Sequence, residues 1–199
     1  MSIDIDSLLE RVKNIDIEGI VGISKDEVGE DDQKQYIILV KLLRFSGAFQ
    51  NNKEACINLV IGNTNIDAPY EEITFVAPGL ERCKPGDLSL TIYMDANSQT
   101  SYGAHRWSVD NSEDQSGKVS FGYRLPIPND LDGYPDTKTL HRIVLEIYHS
   151  LLFFEFKRYE LNIENDQMLD GPGKQEKLEK LHEMHKRITG PKNPDDESV

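Results

Sequence analysis

Cysteine is nearly absent from this 199-residue chain. Cys56 and Cys83 stand alone, without the paired spacing of a zinc site or a redox motif, so no disulfide framework is expected and both thiols should stay reduced. Long apolar runs are missing as well. None approaches the length that a membrane span needs, and the opening residues MSIDIDSLLERVK are acidic and amphipathic, with no apolar signal core. The expectation is a soluble, cytoplasmic protein. Basic residues are outnumbered, 22 Lys and Arg against 35 Asp and Glu, for a formal charge of −13. A field of that sign repels nucleic-acid phosphate and anionic lipid, so neither nucleic acid nor a membrane is an expected partner.

The signatures of catalysis and cofactor binding are also lacking. No GxSxG elbow presents a serine nucleophile, and Gly103 has no GxGxxG or Walker-type companions. No cofactor is expected. Two Glu-x-x-His pairs, Glu146/His149 and Glu179/His182, put a carboxylate and an imidazole on one helical face. A di-iron site, however, takes four core helices and two further glutamates. The turn NDLDGYPD places Asp130, Asp132 and Gly133 as an EF-hand loop would, but Pro128 then falls on the first ligand position and Thr139 on that of the bidentate glutamate. No metal site is expected from either pattern.

What is present is periodicity. Across Asp136–Leu161, Leu140, Ile143, Val144, Ile147, Leu151 and Phe154 recur at the spacing of one helical face. Leu145, Tyr148, Leu152 and Phe153 widen that face, so much of the girth of this long helix should be covered. Ile5, Leu8, Leu9 and Val12 mark a short first helix. Between the two, strand-like alternation appears at Ile17–Ile23, Tyr36–Phe45, Ala55–Ile61, Ile73–Val76, Leu88–Met94, Tyr102–Val109 and Val119–Ile127. Tyr36–Phe45 is apolar on both faces and reads as a central strand covered on two sides, with Lys41 and Arg44 as its exceptions. Residues 102–127 read as a hairpin with a long acidic loop. KDEVGEDDQK reads as a polar turn, and Pro78, Gly79, Pro85 and Gly86 punctuate a connection.

The fold class is therefore α+β: an antiparallel sheet of about six or seven strands packed against a long helix, with a short N-terminal helix and a peripheral C-terminal helix. Residues 1–163 form one domain, and 164–199 a polar linker, a charged helix and a disordered tail. In that helix Leu178, Leu181 and Ile188 make a thin stripe, and the GPG run at 171–173 should uncouple it from the domain, leaving it dispensable for folding.

The densest cluster of functional side-chain types is His105 with Tyr102, Arg106, Trp107 and Asp110. Trp, Tyr and Arg dominate interface energies, and these five residues are the candidate binding site. The expected function is a non-enzymatic protein-binding module, an adaptor, chaperone or immunity-type protein, whose partner is another protein with a basic surface. A homodimer is compatible with the sequence. One alternative is a hydrolase-like or nuclease-like enzyme using His105 with nearby acids. The other is a small-ligand sensor with a pocket between sheet and long helix.

Overall fold

A computed structural model describes residues 4–29, 35–45, 55–63, 71–97, 103–127 and 135–189. Helix α1 (Ile5–Lys13) starts where the Asp4 carboxylate accepts the Asp6 and Ser7 amides, two of the donors a first turn leaves unpaired, and it buries Leu8, Leu9 and Val12. Strands β1 (Ile20–Val28), β2 (Gln35–Leu43), β3 (Cys56–Asn63) and β4 (Glu71–Cys83) follow as a meander. Helix α2 (Leu88–Ala96) leads to the hairpin of β5 (Ala104–Val109) and β6 (Gly117–Ile127), then to the long helix α3 (Thr137–Asn165) and to α4 (Gly171–Thr189). Among the described residues the six strands form one sheet in the order β1-β2-β3-β4-β6-β5, with every neighbouring pair antiparallel.

Directly opposed residues share a face of a sheet, so the register sorts the side chains. One face carries the rows Val40–Leu59, Ile38–Ile61–Phe75–Tyr123 and Ala77–Phe121–His105. Helix α3 lies on it and buries Leu140, Ile143, Val144, Ile147, Leu151, Leu152 and Phe156 in the same core as the strands. The press of α3 against the chain entering β1 explains Gly19, where an added Cβ would stand 2.1 Å from the Tyr148 ring. The Tyr148 hydroxyl donates to the Leu43 carbonyl at 2.9 Å. On its far side α3 receives α4, whose Leu181 is 1% exposed, with Met184 and Ile188 packed against the same core. His185 stacks on Phe156 with ring centroids 4.1 Å apart, and His182 meets Glu160 at 2.7 Å.

Several elements differ from the sequence reading. Leu88–Met94 is not a strand but helix α2. The Lys84 amide donates to the Asp87 carboxylate at 2.6 Å, and the Leu90 and Thr91 amides reach back to the Asp87 carbonyl. The stretch is apolar nearly all round, so its alternation carried no information about period. β4 does not stop at Val76. It runs through Pro78 and Gly79 by a bulge between Ala77 and Glu81, with Gly79 at φ +59°, a conformation that glycine tolerates. β1 takes in Lys25–Val28, which composition assigned to a turn, and as an edge strand it exposes those charges. Gly171-Pro172-Gly173 opens α4 instead of closing a linker. Among the described residues no helix is long and apolar enough to cross a membrane.

β2 is not covered alike on its two sides. Ile38, Val40 and Leu42 are fully buried, whereas Ile37, Leu39 and Leu43 on the opposite face are partly exposed. The described helices pack on the core face or on α3, and this second face of the sheet lies open among the described residues.

Candidate functional site

Strand geometry separates the residues that the sequence places side by side. His105 points into the core and is 2% exposed. Its ring lies 5.1 Å from Tyr93, 5.0 Å from Phe121 and 4.0 Å from Phe154, centroid to centroid. Among the described residues neither ring nitrogen has a hydrogen-bond partner, and burial drives the pKa down to about 3, so the imidazole is neutral. The backbone at this point is clamped by Asn97, which donates to the His105 carbonyl at 2.9 Å and accepts its amide at 2.6 Å. Trp107 shares the face. It is partly buried against Cys83, Tyr93, Val119 and Phe154, and its indole N–H donates to the Cys83 carbonyl at 3.3 Å. Arg106 alternates to the open face and is exposed. Asp110, just past β5, accepts Arg82 at 2.8 Å and lies 3.8 Å from Lys118. Tyr102 lies outside the described residues, as do Asp130, Asp132 and Gly133 of the EF-hand-like turn. His105 and Trp107 thus share one face, while Arg106 and Asp110 belong to the other side and the strand end.

The Glu-x-x-His pairs are engaged elsewhere. Glu146 accepts Arg142 at 3.1 Å, Glu179 accepts Gln175 at 2.8 Å, and His182 turns to Glu160. Among the described residues no group of three or more His, Cys, Asp or Glu gathers as a metal set.

A feature that sequence reasoning missed lies between the β4 bulge and α3. A cavity of about 310 Å³ is lined by Arg44, Leu80, Glu81, Glu155, Arg158 and Tyr159. Glu155 is 6% exposed and has both oxygens occupied, one by the Arg44 Nε–H at 2.5 Å and the other by the Phe45 amide at 2.7 Å. Arg158 Nη1 meets Glu81 Oε1 at 2.6 Å, and Glu81 Oε2 is buried without a partner among the described residues. Two signals were present in the sequence: a charge ending the apolar run of β2, and a glutamate inside LLFFEF of α3.

The open face offers a third kind of surface. Its central row runs Ser24–Leu39–Val60–Val76–Gly122–Ala104 across all six strands, flanked by Ile37, Gly62 and Thr74 in the next. Leu39 and Val60 are partly exposed and Val76 is 36% exposed. Around this apolar strip stand Lys41, Arg106, Lys118 and Arg124, all exposed, together with exposed Asp26 beside Ile37 and with Glu72, 3.7 Å from Arg124.

Compared with known proteins, the chain matches no family model, no curated protein and no solved structure.

Proposed function

We propose that the protein is a non-enzymatic, cytoplasmic protein-binding module of adaptor, chaperone or immunity type, and that it takes its partner on the open face of the sheet. The observation that carries this reading is the row Leu39–Val60–Val76, apolar side chains only partly covered at the middle of a sheet whose other face holds the core. A contiguous apolar strip with a polar rim is what an interface presents before it is covered. The net charge of −13 favours a basic partner at long range. Contacts are decided within a Debye length of about 8–10 Å, however, and there the cations Lys41, Arg106, Lys118 and Arg124 outnumber the acids of the same face, Asp26 beside Ile37 and Glu72 at 3.7 Å from Arg124. The occupant is therefore a protein segment with apolar side chains and flanking acids. His105 gives a general base no support, because among the described residues no acid bonds its enclosed ring.

The test uses the partner recovered with the wild-type chain. Val76→Asp removes apolar contact and adds a like charge to the acidic segment, and Arg106→Glu reverses the rim. Both positions face solvent, so circular dichroism and thermal unfolding should stay near wild type while binding weakens by tenfold or more. A correctly folded Val76→Asp variant that binds with undiminished affinity would remove the open face from the account.

A further inference from the structure

We infer that α2 is a releasable cap over His105, closed only while that imidazole is neutral. Three walls enclose the ring: Phe121 from β6, Phe154 from α3 and Tyr93 from α2. His105 is 2% exposed, and among the described residues both of its ring nitrogens are buried without a partner. An imidazolium in that place would hold a charge and two N–H donors away from water. No counter-charge compensates, because burial is the one cause that acts on the ring. Protonation therefore requires water at the ring, and one wall has to move.

The three walls are not held alike. β6 is paired on both sides, to β4 and to β5. α3 buries ten side chains along its length. Among the described side chains of α2 only Tyr93 is buried, with Leu90 and Ile92 partly covered, while Leu88 and Met94 are exposed. A second tie is the Asn97 side chain just past the helix, which bonds both the amide and the carbonyl of His105 on the outer edge of β5. Stabilisation by burial scales with the apolar area covered, so α2 is the wall that costs least to lift. Lifting it bares the Trp107 and Phe154 rings and the edge-facing peptide groups of His105.

The surrounding groups leave His105 as the one that titrates near neutrality in this cluster. Tyr93 faces it from α2, and Cys83 of β4 belongs to the adjoining cluster. Burial pushes the phenol up and the thiol up to about 11, so both stay uncharged. Glu81, Glu155, Arg158 and Arg44 act on Tyr93, whereas β6 and α3 present only Phe121 and Phe154 to the imidazole. The folded pKa of His105 lies below its unfolded value, so the cap is fully held above about pH 6.5 and loosens as the pH falls. The ratio of released to capped chains rises by up to about tenfold per pH unit. This device is on the helix side of the sheet, so it stands or falls apart from the partner face.

The experiment follows hydrogen exchange of the full chain at pH 7 and pH 5, corrected for the intrinsic rates, together with acrylamide quenching of Trp107. The amides of residues 90–93 and of His105 should lose about tenfold or more of their protection at pH 5. Trp107 should become more quenchable, while the amides of α3 and β6 keep their protection. His105→Leu leaves no titrating group behind α2 and should abolish both responses. Asn97→Ala removes the clamp and keeps the imidazole, so α2 should lose protection at both pH values with the pH difference retained. Equal protection of α2 at the two pH values, a loss shared in step by α3 and β6, the same loss in a folded His105→Leu variant, or unchanged α2 protection in Asn97→Ala would each overturn the inference.

Discussion

Among the described residues three aromatic rings around His105 leave its nitrogens nothing to bond, and the neutral imidazole is the form that folds. Its folded pKa near 3 lies below the unfolded value of about 6.5. Stability from this residue is then complete above about pH 6.5 and is lost as the pH falls, at up to about 1.4 kcal/mol per pH unit. His149 and His185, also pushed down chiefly by burial, act in the same sense. Carboxylates with lowered pKa, such as Asp136 bonded by the Thr139 amide, begin to lose their share only below the unfolded carboxylate range. The interval between about pH 6.5 and 5 therefore isolates the histidines. His105→Leu should flatten the loss of stability over that interval, and at pH 7 should be neutral or stabilising by roughly 1 kcal/mol, because no hydrogen bond is broken. Denaturant unfolding at both pH values measures this. An unchanged slope would mean that His105 is not an enclosed neutral group.

At the scale of elements the test falls on α4. Leu181 is 1% exposed and belongs to the main core, so Leu181→Ala should cost about 2–5 kcal/mol in denaturant unfolding. A loss below about 1 kcal/mol would return α4 to the detachable helix that its thin apolar stripe suggested. The stripe understates the packed face, because Met184 and His185, which composition counts as incidental or polar, extend it against the core and Phe156, while exposed His182 holds Glu160 from the edge. Other elements were legible for a physical reason. α3 repeats its apolar face over many turns, and β6 alternates Val119, Phe121, Tyr123, Leu125 and Ile127 without interruption, so no competing period survives. Leu88–Met94 holds too few residues and too few polar ones to distinguish periods, and only the Asp87 contacts settle it as a helix. Pro78 and Gly79 read as breakers because sequence cannot distinguish a bulge from an end. The cavity was out of reach, since Arg44, Glu81, Glu155 and Arg158 meet only through the register of β4 and the docking of α3.

At the scale of the whole molecule, a chain of charge −13 gathers basic residues around the apolar strip of its open face. Partner affinity should fall as ionic strength rises from about 0.05 to 0.5 M, and lose that dependence in the Arg106→Glu, Arg124→Glu double variant, measured by calorimetry. Trp107 packs on the opposite face, so acrylamide quenching of this one tryptophan should not change when the partner binds. The most direct measurement places a photo-crosslinking amino acid at Val76 in the open face and, as a comparison, at exposed Lys138 on α3. The account predicts that the partner is captured from Val76, through a segment carrying apolar and acidic residues, and not from Lys138. Capture from Lys138 with none from Val76, while the complex remains intact, would contradict it.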